Sequence, residues 1–182
     1  KNIFTMNAKQ FLPDRYPLWL MDLVLFKISW IVLVIFQGQA IIPAMGIILL
    51  KVFTWPDIHK SLNMIVTTLV IGLIMDLFLT VTGVFVFPDY RMPFWLVLLW
   101  VSFALTLPRG FSFIAGLPPL FQAVAGMLAG SVGYFAGYLL GAVSFGFSLS
   151  ASLLFIGLLW SGFIPFLFWL EKFVGQKVNS VS

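Results

Sequence analysis

The chain has 182 residues, of which 62% are hydrophobic, 18% aromatic and 9% charged, with a net charge of +4. A water-soluble domain carries about a quarter charged residues, so a water-exposed surface over most of this chain is excluded, and the mean hydropathy of +1.10 agrees. The basic residues stand singly between apolar runs, which excludes a face that tracks nucleic acid, and the absence of cysteine excludes disulfides and thiolate chemistry.

No polar stretch is long enough to fold alone, so residues 1–182 are read as one integral membrane domain. The N-terminal segment 1–17, beginning KNIFTMNAKQFLPDRY, mixes apolar and basic side chains. It fits either a short amphipathic helix on the inner leaflet or a frayed cytoplasmic tail. Six apolar runs follow: Leu18–Phe36, Ala40–Phe53, Ser61–Val81, Pro93–Leu107, Leu117–Ala142 and Ala151–Leu170. The first ends in WIVLVIFQGQA, a small-x-small pattern resembling a signal-peptide cleavage site. The run starts well before it and lacks a basic lead-in, so it is read as a retained helix. A bilayer crossing takes about 20 apolar residues, and the second and fourth runs are shorter, so charge has to arbitrate.

With six crossings and a cytoplasmic N-terminus, Lys1, Lys9, Arg15, Lys51, Lys60, Arg109, Lys172 and Lys177 lie inside and Arg91 lies outside. Lys27 is left within the first helix. If the second run does not cross, this positive-inside bias disappears. The expected fold class is therefore all-α, a six-transmembrane-helix bundle with both chain ends in the cytoplasm. Tyr16, Trp19, Trp55 and Trp169 fall near the inner interface and Tyr90 and Trp95 near the outer one, levels that Trp and Tyr favour. Ser61 is placed to cap the third helix, and Pro118 and Pro119 stand where a first helical turn tolerates them.

The fifth run carries the most regular pattern. Ala123, Gly126, Gly130, Gly133, Gly137 and Gly141, followed by Ser144, fall on one narrow stripe at helical spacing. Small side chains let membrane helices approach closely. The stripe predicts packing inside the bundle, with a homodimer or a docked membrane protein partner as the alternative use.

Polar groups at membrane depth are few. They are Asp22 and Lys27 in the first helix, Gln37 and Gln39 at its outer end, and Asn63 and Asp76 in the third. At 1.5 Å per residue, Asp76 lies about 21 Å from Leu62 and about 16 Å from Phe87 along the helix, and Lys27 about 13 Å from Leu18. Both are near the midplane, where an ionisable side chain is costly and marks a candidate site. Asp76, Lys27, Gln37, Trp30 and Trp100 are the candidate residues for ligand binding or proton relay. The structural alternatives are an ion pair, a neutral Asp76 bonded to a backbone carbonyl, or a Lys27 whose long stem snorkels toward the inner surface. Asp22 sits near the inner interface beside Arg15, where a carboxylate needs no site. His59 beside Asp57 supplies too few ligands for a metal, and no catalytic constellation or cofactor motif is present. Catalytic, metal and cofactor residues are accordingly read as none.

The segments LVLFKISWIVLVIFQGQ, IGLIMDLFLTVTGVFVFPD, PFWLVLLWVSFALTLPRG and AGMLAGSVGYFAGYLLGAVSFG together resemble a bacterial inner-membrane family, domain of unknown function 2878. Trp30, Asp76, Trp95, Trp100 and the glycines from Gly126 to Gly141 carry the likeness. Where that family usually shows Gln-x-Gly-Trp, this chain has Lys27-Ile28-Ser29-Trp30, and Pro108 and Arg109 stand in place of a polar pair. The resemblance implies the bacterial inner membrane and an association with lipid-modifying gene sets, and it implies no activity. The expected function is non-enzymatic: binding or moving a small amphiphilic, lipid-like molecule at Asp76 and Lys27, with membrane lipids as the surroundings. The alternative is an accessory or scaffold subunit that docks through the glycine stripe.

Overall fold

The first helix, α1 (Leu18–Phe36), stops where Gln37 takes a φ of 47°, a left-handed conformation rare outside glycine. A 3-10 turn over Gln37–Ala40 then sends the chain back along α2 (Ile41–Phe53), so that Lys51 returns to the neighbourhood of Asp22. The computed structural model describes residues 18–55, 57–87 and 91–179. The segment 1–17, with Lys1, Lys9, Arg15 and Tyr16, lies outside the described residues, as does Tyr90.

A second 3-10 turn (Ile58–Ser61) leads into α3 (Leu62–Val81). Ser61 makes no side-chain cap bond there, because it closes that turn and does not open the helix as an N-cap. Helix α4 (Phe94–Gly110) runs three residues past the expected Leu107, and a one-turn helix, α5 (Ser112–Ala115), follows it. The glycine run forms α6 (Pro119–Leu139), with Pro119 in its first turn as expected. The last helix, α7, spans Leu149–Asn179.

Helix α6 ends sooner than its apolar run. Gly141 adopts a φ of 73°, and the Ala142 N–H bonds the Gly137 carbonyl at 2.9 Å, the pattern of a glycine-terminated helix. Gly141 therefore turns the chain and does not belong to a packing face. Beyond it, β2 (Ser144–Phe145) pairs antiparallel with β1 (Phe85–Val86), which follows α3. These two short strands were absent from the sequence expectation. They tie the α3–α4 and α6–α7 connections together at one end of the bundle.

The outward faces are largely apolar: Ile42 and Phe53 are each 82% exposed, Val81 78% and Val132 63%. Water does not tolerate such a surface. Leu18–Phe53 (with its internal turn), Ile58–Val81, Pro119–Leu139 and Leu149–Phe173 are long and apolar enough to cross a membrane, and Phe94–Gly110 is apolar but shorter. The protein is an all-α membrane protein.

Its interior is aromatic. Trp100 stacks on Trp160 with ring centroids 5.7 Å apart, and Phe103 and Phe163 meet both edgewise. The α6–α7 contact is the most extensive in the bundle. It depends on Gly126 and Gly130: a Cβ at Gly126 would strike the Trp160 carbonyl and Ile164, and one at Gly130 would strike the Trp160 ring.

Candidate functional site

Asp76 is completely buried on α3, and its two oxygens are shared between two donors. The Trp100 indole N–H, from α4, donates to Oδ2 at 2.6 Å, and the Tyr134 hydroxyl, from α6, donates to Oδ1 at 2.5 Å. One turn earlier, Gly72 leaves room for the indole, since a Cβ there would land on the six-membered ring of Trp100. Gly72 and Asp76 thus form a seat for one tryptophan, the glycine supplying space and the carboxylate an acceptor. The carboxyl group links three helices. It pairs with neither Lys27 nor a backbone carbonyl, the two structural alternatives that depth alone suggested.

Trp100 and Tyr134 also form part of the wall of a cavity of about 470 Å³. Its other lining residues include Phe26, Lys27 and Trp30 of α1, Trp95 of α4, Gly133 of α6 and Trp160 of α7. Phe87, Ala142 and Val143 close one end and Phe111 the other. The deep wall is buried, whereas Lys27, Ala129 and Val132 are exposed. The opening therefore lies sideways, at mid-helix, between α1 and α6, two helices that do not pack against each other along their length. Asp76 is not on the cavity surface; it holds two side chains that are.

Lys27 projects at the mouth with its ammonium 5.3 Å from the Trp30 ring centre, one helical turn away. A lysine at mid-membrane costs ~2.5–3.5 kcal/mol on insertion scales, and a cation–π contact returns ~0.5–2 kcal/mol. The ring therefore does not fully offset the charge. Gln37 lies elsewhere: its Nε2 donates to the Gly141 carbonyl at 3.4 Å, joining the α1–α2 turn to the end of α6. Of the expected packing glycines, Gly126 and Gly130 face α7, and Gly133 has open space where a side chain would project. Gly137 meets Val143 at ordinary contact distance. Ala123 is half-buried on the same helix.

A second polar cluster closes the opposite end of the α1–α2 hairpin. Arg109 grips the buried Asp22 with two nitrogens, Nη2 donating to Oδ1 at 2.8 Å and Nε donating to Oδ2. The guanidinium also lies 4.7 Å from the Trp55 ring centre. Lys51, completely buried, donates to Thr106 Oγ1 at 2.5 Å and to the Ser102 carbonyl at 3.3 Å. The sequence places Asp22 toward the inner end of α1 and Lys51 on the inner side, and predicts the complete burial of neither. The sequence signal for Lys51 was the pair Ser102 and Thr106, four residues apart on an otherwise apolar helix. Asp57 meanwhile pairs with Lys60 at 2.9 Å in the exposed turn, which holds its carboxyl below the usual range. Among the described residues, no three His, Cys, Asp or Glu side chains gather around a metal position.

A family model described as "Protein of unknown function (DUF2878)" matches residues 19–166. The chain belongs to the DUF2878 family. No curated protein and no solved structure matches it. The DUF2878 span runs from the second residue of α1 well into α7 and so takes in both polar clusters and every residue of the cavity wall. Tyr134, Trp160 and Gly72, unmarked in the sequence reading, are central to the geometry.

Proposed function

We propose that this DUF2878 protein crosses the bacterial inner membrane six times, with both ends cytoplasmic, and binds or moves a small amphiphilic, lipid-like molecule without catalysing a reaction. The six-crossing reading is supported by the alternation of helix ends. Asp22, Lys51, Thr106 and Arg109 meet at one end. The β1–β2 pair and the Gln37–Gly141 bond lie at the other. Lys60 and Arg109 then share the inner side and Arg91 the outer. The chain has no cysteine, so single substitutions report side cleanly. In spheroplasts, a membrane-impermeant maleimide is expected to label Ser144→Cys, and to label Gly116→Cys only after lysis. The reverse pattern would invert the topology.

The observation that carries the binding reading is the sideways cavity between α1 and α6. A pocket of this size, lined by aromatic side chains with few polar groups, suits a small apolar ligand, and its mouth opens to lipid. Photocrosslinking of the purified protein with a diazirine-bearing single-chain amphiphile tests it. Wild-type protein is expected to label on cavity-lining peptides. Gly133→Leu fills the open space and removes a mid-helix glycine worth ~0.5–1 kcal/mol against alanine, so it should abolish that labelling while keeping the melting temperature. Gly130→Leu, which collides with Trp160, should instead destabilise the protein by ~1–3 kcal/mol. Labelling spread evenly over outward faces, and indifferent to Gly133→Leu, would defeat the reading. The scaffold alternative needs an open glycine groove, and Gly126 and Gly130 are already taken up by α7.

A further inference from the structure

Resting on the cavity reading above, we infer that the occupant is an anionic amphiphile, held by its charged head at Lys27 with its chain running toward Val34 and Val143. Lys27 stands nine residues from each end of α1, and its ammonium lies 5.3 Å from the centre of the Trp30 ring. It is exposed at the cavity mouth and has no ion pair among the described residues. The buried acidic groups of the described residues are committed elsewhere: Asp22 to Arg109, and Asp76 to Trp100 and Tyr134. The indole face of Trp30 attracts the ammonium but does not replace an anion in hydrocarbon.

The rest of the cavity selects for a tail. The Trp100 N–H and the Tyr134 hydroxyl both donate to Asp76, so neither is offered to a ligand. The Trp160 indole N–H, buried in the same wall, is a donor left without a partner among the described residues, but a sugar or peptide would still lose most of its hydrogen bonds to water there without replacement. The cavity extends four residues along α1 from Lys27 toward one end, at Leu23, and seven toward the other, at Val34. The head therefore sits nearer the Asp22–Arg109 end, and the longer arm, about 10 Å at 1.5 Å per residue, takes the chain.

The chemistry recognised is an anionic oxygen head, carboxylate or phosphate, on an apolar chain. The test uses a fatty acid with a terminal diazirine, its methyl ester and the matching alkyl phosphate, with inorganic phosphate as competitor. In wild type, acid and alkyl phosphate are expected to label near Val34 and Val143 at about tenfold lower concentration than the ester, a difference of about 1.4 kcal/mol. Lys27→Gln should bring the acid to the level of the ester, and Lys27→Arg should preserve the preference. Equal labelling of the cavity by acid and ester, or a preference that survives Lys27→Gln, overturns the anionic head and leaves the amphiphile reading standing. Labelling of the cavity by none of the probes overturns both. Displacement by inorganic phosphate alone would mean that a free anion, and no amphiphile, is the ligand.

Discussion

Alanine at position 76 is expected to destabilise the protein severely, and asparagine there is not. Removing the carboxylate leaves the Trp100 N–H and the Tyr134 hydroxyl buried without an acceptor. Each such orphan costs ~1–3 kcal/mol, so the pair loses about 2–6 kcal/mol. Asparagine keeps one oxygen for the indole, whose N–H cannot reverse. Its amide can donate to the tyrosine hydroxyl, which turns to accept. Thermal melting in detergent should separate the two variants by most of that interval. Ligand labelling of Asp76→Asn then decides how the carboxyl acts. Retained labelling means that Asp76 works by holding the cavity wall. Labelling lost at an unchanged melting temperature would mean that its charge is used directly.

The second large effect is expected at Asp22. Among the described residues, this carboxylate is the only acidic partner that the buried end of the hairpin offers to Arg109 and Lys51. Breaking a buried ion pair from one side costs ~3–5 kcal/mol, because the remaining charge is left uncompensated. Asp22→Ala should therefore unfold in detergent at markedly lower temperature than wild type. Lys51→Met is the informative partner. It removes a cation that hydrogen-bonds Thr106 and the Ser102 carbonyl but, among the described residues, no carboxylate, and it fills nearly the same volume, so it should be neutral or stabilising. If Lys51→Met proves as damaging as Asp22→Ala, the two cations form one inseparable unit with the carboxylate and the assignment of Asp22 to Arg109 alone is wrong.

Both predictions concern residues whose environment was only half legible in the sequence. The ends of α1, α2 and α3 were readable to within one residue, because apolar runs stop at Gln37-Gly38-Gln39, at Trp55-Pro56-Asp57 and at the Thr82-Gly83 turn. The central place of Lys27 in α1 was readable for the same reason, but that of Asp76 was not: α3 ends at Val81, only five residues beyond it, and does not continue to Phe87. Depth is one coordinate, however, and azimuth is another. Whether two side chains at one level meet depends on how neighbouring helices are rotated and ordered, and a near-uniform apolar helix carries little sign of its rotation. Lys27 and Asp76 do not meet: Asp76 bonds Trp100 and Tyr134, and Lys27 lies against Trp30. Trp100 was a candidate without a partner, and Tyr134, which also meets Asp76, looks like an ordinary packing aromatic in a chain holding 21 Phe and 7 Trp. Gly141 was misread because periodicity continues past a helix end that only backbone conformation reveals.

Of the 7 tryptophans, Trp30, Trp95, Trp100 and Trp160 line the one cavity described here. More than half of the protein's indoles therefore stand within reach of whatever fills that space. A bromine or nitroxide carried on an entering hydrocarbon chain would quench their fluorescence at contact, so unlabelled protein is already a spectroscopic gauge of its own occupancy.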